Sequence, residues 1–348
     1  MIDHAFELLA NELTGCEGRA LWVVDENISA TDAQLLNPAK TLSVLSNRYD
    51  ISTALKQCGF DIFLNDFELN SFPPNSFDAI YYRVSKEKAI VHHIINSSAT
   101  WLKPGGSLFL TGYKNDGIKT YVSKAAEYLG EQKDKQRGDK TAMLFEVVVG
   151  DVGEKPLDDK SYSKERVVEL KEKGAFYSKP GIFGWDKVDQ GSAFLISYLP
   201  ELMGRFKQLP GTVLDLGCGY GYLSFSASQL QTARFTATDN NIAAVAMCRK
   251  NFAEYAVHGE AILDDCGMHI QGQFDLVLCN PPFHQGFDID GDLTKRFLEQ
   301  SYRLLAPNGW ALFVVNAFIP LEKKAAGLFS TVETVANNRS FKLVVLAR

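Results

Sequence analysis

No stretch of the chain approaches the roughly 18 uninterrupted apolar residues that a membrane helix needs. The opening MIDHAFELLANELTGCEG lacks both a basic n-region and a long apolar core. These absences predict a protein that is neither exported nor inserted in a membrane, and place it in the cytoplasm. Cysteine is sparse: Cys16, Cys58, Cys218, Cys248, Cys266 and Cys279 are scattered, with no C-x-x-C pair. That spacing argues against a zinc site or a disulfide framework and suits a reducing compartment. Each thiol reads as a small buried apolar residue. Positive charge is also short, with 36 Lys and Arg against 42 Asp and Glu for a net charge of −6. Phosphate binding leans on clustered Lys and Arg. The balance therefore counts against a nucleic-acid partner, without excluding a local basic face.

What is present is ordinary in composition and unusual in repetition. At 348 residues the chain is about twice the usual single-domain length, so two domains are expected. From Gly211 onward, TVLDLG, RFTATD, EAILDD, FDLVLCN, GWALFVV and SFKLVVLAR read as strands. Between them, GYLSFSASQL, NIAAVAMCRKNFAEY and DLTKRFLEQSYRLL carry apolar residues at helical spacing. This alternation predicts a parallel sheet covered by helices on both faces. The last strand follows its predecessor without a clear helix, as an antiparallel edge strand would.

The first 150 residues repeat the rhythm more faintly. LWVVDEN aligns with VLDLGCG, FDAIYYRVSKEK with FDLVLCNPPFHQ, and WLKPGGSLFL with LLAPNGWALFV. The expectation is an internal duplication whose first copy has lost its working parts. Where the second copy has Gly217, Gly219 and Gly221, the first is aligned with Glu26, Ile28 and Ala30. Asn280-Pro281-Pro282-Phe283 is aligned with Arg83-Val84-Ser85-Lys86. The divisions expected are 1–155 for the degenerate domain, 156–178 for a linker and 179–348 for the catalytic domain. The linker is expected to hold a short amphipathic helix at most.

Asp215-Leu216-Gly217-Cys218-Gly219-Tyr220-Gly221 follows a strand and precedes a helix. Glycines let the chain turn tightly and let a ligand lie against main-chain atoms. In a dinucleotide-binding loop the third glycine comes three residues after the second. Here Gly221 comes two after Gly219, and an acid precedes the first glycine. That pattern points to S-adenosylmethionine, whose amino-acid end carries an ammonium for Asp215 to bind. Asp239 is placed to hold the ribose hydroxyls, and Asp265 to accept from the adenine amino group. Cys266 follows with a backbone N–H. Tyr220 and Tyr222 are expected to pack around the cofactor. Upstream, Phe183, Asp189, Gln190 and Gly191 are candidates for closing over it.

Asn280-Pro281-Pro282-Phe283 ends a strand at the carboxyl edge, where open α/β sheets bind ligands. Two prolines stop the strand and fix the backbone. A ring-conjugated amino group is a poor nucleophile. Two acceptors, the Asn280 side-chain oxygen and the Pro281 carbonyl, would orient it toward the methyl. Phe283 supplies a flat surface for a base, and His284 stands next in line. A sulfonium methyl is already electrophilic, so the reading needs no metal.

The ordered set PGIFGWDKVDQGS, VLDLGCGYG, TDNN, FDLVLCNPPFHQG and VVNAFIP resembles the ribosomal RNA guanine-N2 methyltransferases of the RsmC/RlmG family. The match lies mainly between Lys179 and Arg348, with the IYYRVSKEKA run in the first half. The resemblance implies an α/β chain of two tandem class I (Rossmann-like) methyltransferase domains. The first would be a cofactor-less copy that aids folding and RNA docking. It further implies that Phe183, Asp189 and Gly191 line the cofactor pocket, and that Asn280, Pro281 and Phe283 hold a guanine swung out of its stack. The product would be N2-methylguanosine in 16S ribosomal RNA of the small subunit, made by a monomer. Arg83, Lys86, Lys88 and the lysines of KEKGAFYSKP would be candidate phosphate contacts. Other readings stay open on the residues alone: a large-subunit RNA enzyme, a protein glutamine-amide methyltransferase, a small-molecule methyltransferase or a non-catalytic RNA-binding module.

Overall fold

The apolar runs ALWVV and TVLDL are buried along nearly their whole length, as strands covered on both faces must be. Each is an interior strand of a seven-stranded sheet. The computed structural model describes residues 3–33, 36–138, 141–170, 174–282 and 289–348. Contacts divide the chain into two units, Met1–Lys164 and Glu165–Arg348.

In the first unit α1 (His4–Thr14) precedes β1 (Ala20–Val24), α2 (Ala30–Ala33), β2 (Leu42–Ser46), α3 (Tyr49–Gln57) and β3 (Asp61–Leu64). There follow β4 (Phe77–Arg83), α4 (Lys88–Trp101), β5 (Leu102–Tyr113), α5 (Ile118–Leu129), β6 (Gly130–Arg137) and β7 (Ala142–Val149). The sheet order is β3-β2-β1-β4-β5-β7-β6, with β7 antiparallel to both neighbours and the remaining pairs parallel.

The second unit opens with a hairpin, β8 (Arg166–Leu170) and β9 (Gly174–Ser178), followed by α6 (Gln190–Met203). Its sheet and helices are β10 (Thr212–Leu216), α7 (Tyr222–Ser228), β11 (Arg234–Asp239), α8 (Ile242–Glu254), β12 (Gly259–Leu263) and β13 (Phe274–Cys279). The chain ends with α9 (Ile289–Leu304), β14 (Leu305–Asn316), α10 (Leu321–Ala325), β15 (Thr331–Asn337) and β16 (Phe341–Ala347). The order β12-β11-β10-β13-β14-β16-β15 repeats that of the first sheet strand for strand, again with one antiparallel insertion. Both units are therefore class I (Rossmann-like) sheets, as expected. Alternate residues of β13 feed opposite faces: Leu276 and Leu278 join one core cluster, Val277 and Cys279 the other.

The duplication reaches individual bonds. β5 and β14 are each 12 residues long and share one burial pattern. The ladders leading to them shift register at matching places, between Phe77 and Ala79 and between Phe274 and Leu276. After each Phe comes an acid that staples the start of the neighbouring strand. Asp78 accepts from Arg19 N at 2.8 Å, and Asp275 accepts from Gly211 N at 2.9 Å and Thr212 N at 3.0 Å.

Three expectations are corrected. Ala20 pairs with Ala79 as Val213 pairs with Leu276, so Gly217, Gly219 and Gly221 correspond to Val24, Glu26 and Ile28. The alignment with Glu26, Ile28 and Ala30 is offset by two, because two apolar runs carry nothing to pin their register. The segment 156–178 is not a bare linker with a helix: its second half is the β8–β9 hairpin of the second unit. Val167 is exposed and Val168 buried, the period of a strand that β-branched residues favour. The final strand β16 is interior, and the edge is β15, whose mostly exposed TVETVAN sequence hides it from a hydrophobic reading. Among the described residues no helix is long and apolar enough to cross a membrane.

Candidate active site

Strand order reverses between β10 and β13, and the loops after these two strands flank the switch point where such sheets bind ligands. The first is the glycine loop. Gly217, Gly219 and Gly221 hold φ of 82°, 53° and 91°, a left-handed run that side chains resist. Two of them differ in what surrounds them. A Cβ on Gly221 would lie 2.8 Å from Cys248 Sγ, whereas one on Gly219 meets no atom of the described residues within 4 Å.

Beneath the loop, Asp215 is fully buried. Its Oδ2 accepts from Ser224 N at 3.0 Å and Ser224 Oγ at 2.7 Å, while Oδ1 has no partner among the described residues. Burial pushes its carboxyl up to about 6, against the opposing pull of the Ser224 bonds. A buried carboxylate with an unclaimed oxygen is a group that the ammonium of S-adenosylmethionine would fit. Asp239 ties the loop to the next strand, accepting from Gly219 N at 3.0 Å and Asn241 N at 2.9 Å. Asp265 is half-buried at the end of β12 and pairs with Arg296 of α9, so an adenine amino group would share that carboxylate with a guanidinium. Cys266 turns the chain after it with φ of 48°.

The segment before α6 arches from one loop to the other. Asn241 Nδ2 donates to Gly181 O at 2.9 Å, fixing one end beside Asp239. At the other end Asp189, the N-cap of α6, accepts from Ser192 N at 2.8 Å and from Asn280 Nδ2 at 2.8 Å. Asn280 also donates to Ser192 Oγ at 2.8 Å. Gly191 allows this approach, since a Cβ there would sit 3.0 Å from Asp189 Oδ2 and 3.2 Å from Phe341. Phe183 is half exposed on the arch. Below, Asn251 joins the β8–β9 hairpin to the glycine loop by donating to Tyr177 O at 2.9 Å and Tyr220 O at 2.8 Å. Tyr220 packs on Phe176, and burial holds its hydroxyl well above the usual tyrosine value. Pro281 is buried beside Asn280; Phe283 and His284 lie outside the described residues.

The structure places the glycine loop after β10 and Asn280-Pro281 after β13, and adds bonded neighbours that the sequence reading did not single out: Ser192, Ser224, Asn241, Asn251 and Arg296. The N-cap signature Asp189-Gln190-Gly191-Ser192 at a helix start was the one local signal available for Ser192.

In the first unit the equivalent places are filled by side chains. Glu26, at the Gly219 position, pairs with Arg48 at 2.9 Å, and Ser46 stands for Asp239. Tyr162 donates its hydroxyl to Asp66, the counterpart of Asp265, at 2.7 Å. Arg83, at the Asn280 position, is buried and bridges Asp3 at 3.1 Å and Asp116 at 2.7 Å. Arg83 is therefore not a phosphate contact: its charge is spent inside the fold. Lys179 is likewise buried, Lys86 and Lys88 are exposed, and Lys171 and Lys173 lie outside the described residues.

The sequence matches the Methyltransferase small domain family over residues 173–345 and its N-terminal companion, Methyltransferase small domain N-terminal, over 7–151. A relative from Shewanella amazonensis, ribosomal RNA small subunit methyltransferase C, is 27% identical over 344 residues, spanning 99% of this chain and 98% of its own length. The enzyme of the same name from Pseudomonas putida is 30% identical over 280 residues, spanning 79% and 81%. Among solved structures, the T. thermophilus 16S rRNA N2 G1207 methyltransferase (RsmC), in complex with AdoMet and guanosine, superposes with a TM-score of 0.83 at 22% identity. It covers 99% of this chain and 91% of its own, a likeness of fold.

Proposed function

The chain belongs to the family of ribosomal RNA small subunit methyltransferase C, and from that premise we propose that it methylates the exocyclic N2 of a guanine in 16S ribosomal RNA, giving N2-methylguanosine. The observation that carries the reading is the held amide of Asn280. Both its hydrogens are taken by Asp189 and Ser192, so its oxygen is the group left for a substrate. That acceptor stands at the carboxyl edge, across the switch point from the glycine loop.

The residues present fit S-adenosylmethionine. Asp215 and the Gly217–Gly221 loop would hold its amino-acid end, Asp239 the ribose, and Asp265 with Cys266 the adenine. The arch carrying Phe183, Asp189 and Gly191 would cover it. When bound, the cofactor supplies a methyl on a positively charged sulfur. The protein's part is then positional. Asn280 Oδ1 and the Pro281 carbonyl accept the two N–H groups of the guanine amino group and turn its nitrogen toward the methyl. The role proposed for Phe283 is to stack on the base. The base must leave its stack to reach this edge. Once methylated, the nitrogen is strongly acidic and yields its proton to water, so no general base is assigned.

We read the catalyst as a monomer, because one unit of one chain carries every residue of the site. We place the reaction in the cytoplasm, where its ribosomal substrate lies. The test is transfer from methyl-labelled cofactor to small subunits, large subunits and protein-free ribosomal RNA, followed by digestion to nucleosides. Label in N2-methylguanosine from the small-subunit RNA is expected. Label in large-subunit RNA would change the address, and label in no RNA would overturn the function.

A further inference from the structure

Whether the Asn280 position accepts or donates depends on which way its amide faces. Its Nδ2 lies 2.8 Å from Asp189 Oδ2 and 2.8 Å from Ser192 Oγ, so two acceptors engage two hydrogens. The flipped amide would set Oδ1 against a carboxylate oxygen, lone pair against lone pair. Asp189 is itself immobilised, because the same Oδ2 caps α6 through Ser192 N at 2.8 Å. Phe341, packed over Gly191, backs that arrangement. The first unit preserves the geometry with another donor: Asp3 caps α1 and accepts from Arg83 Nε at 3.1 Å. The link from helix cap to strand end therefore belongs to the fold, and the second unit has turned it to use.

We propose that Asp189 and Ser192 are positioning residues that lock the Asn280 amide with its oxygen toward the substrate, so that the site selects an exocyclic amino group over a carbonyl. This rests on the reading that Asn280 Oδ1 accepts from the target amino group. It assigns Asp189 a task separate from covering the cofactor.

The test removes the two acceptors. Asp189→Ser keeps a capping hydroxyl at the start of α6 but withdraws the carboxylate oxygen that reaches Asn280, and Ser192→Ala removes the second acceptor while leaving the capped N–H in place. In the double variant Asp189→Ser/Ser192→Ala methyl transfer should fall about 100-fold, the scale of a lost preorganised contact, with cofactor affinity nearly unchanged. A second readout needs no turnover: the Asn280 side-chain amide hydrogens should exchange slowly in wild type, by NMR, and rapidly in the double variant.

Full transfer by the folded double variant would overturn the positioning role, as would unchanged amide exchange. A loss of cofactor affinity equal to the loss of transfer would make Asp189 a cofactor ligand instead. Wild-type protein run alongside separates the two claims. Its failure to make N2-methylguanosine would sink the function, while the amide exchange still judges the lock.

Discussion

Arg83 occupies in the first sheet the place that Asn280 occupies in the second, each reached at the carboxyl end of the fourth strand and each bonded to the aspartate that caps its unit's leading helix. One residue is an amide with an acceptor to spare. The other is a cation held by two acids, Asp3 and Asp116, with the Arg83 and Asp116 side chains each only 7% exposed. The same backbone thus carries the proposed site in one unit and a structural ion cluster in the other.

Arg83→Asn would recreate the tetrapeptide's first residue without recreating a site. It would leave buried Asp116 and half-buried Asp3 without their cation, and breaking a buried pair costs about 3–5 kcal/mol in comparable cases. Denaturant unfolding of the variant should show that loss in the first unit, with methyl transfer by the second retained wherever the protein stays folded. A neutral substitution would mean that the Arg83 cluster contributes nothing.

The glycine loop separates binding from folding. Gly221→Ala forces a methyl against Cys248 Sγ in a left-handed turn, and should lower stability by about 1–3 kcal/mol. Gly219→Ala meets no atom of the described residues and should cost only about 1–2 kcal/mol from its backbone angle. Its methyl enters the space assigned to the ligand, so cofactor affinity should drop about tenfold or more, a loss of about 1.4 kcal/mol. Thermal unfolding and calorimetric titration measure the two effects. Intact cofactor affinity in Gly219→Ala would misplace the pocket.

The fold was legible because strand and helix periods alternate without interruption from Gly211, and because FDLVLC and LLAPNGWALFV have recognisable echoes in FDAIYY and WLKPGGSLFL. The loops were legible because glycine and proline announce themselves at strand ends. What joins the loops was not. Asn280 and Ser192 are 88 positions apart, and Asn241 reaches back 60 to Gly181, distances at which no local pattern speaks. Arg83 read as an RNA contact because sequence shows a charge and not its burial. The β8–β9 hairpin and β15 escaped for the opposite reason, since their exposed faces dilute the apolar alternation that marks a strand.

Asp215 should give cofactor binding a pH dependence. Its carboxyl is raised from 3.8 to about 6 in the folded protein, so the native state takes up a proton as pH falls through about 6. The ionised form is a cost to the fold above that pH, and the cost is relieved as pH drops toward 4. A bound ammonium favours the ionised form. Affinity for S-adenosylmethionine should therefore weaken below about pH 6, by at most about tenfold per pH unit. Asp215→Asn should flatten the profile. Asp25 of the first unit is raised to about 6 as well, by burial and then by Glu26, so stability curves would mix the two acids where binding curves do not. An equal slope in wild type and Asp215→Asn would remove Asp215 from the cofactor site.

Asn280→Ala tests most directly whether the held amide acts on the substrate. Labelled methyl transfer to small subunits and calorimetric cofactor binding are measured on the same preparation. Transfer should fall about 100- to 1,000-fold, as when one preorganised contact is removed, while cofactor affinity stays within about twofold, under about 0.5 kcal/mol. Parallel loss of transfer and of cofactor binding would contradict the account and make Asn280 a support of the pocket.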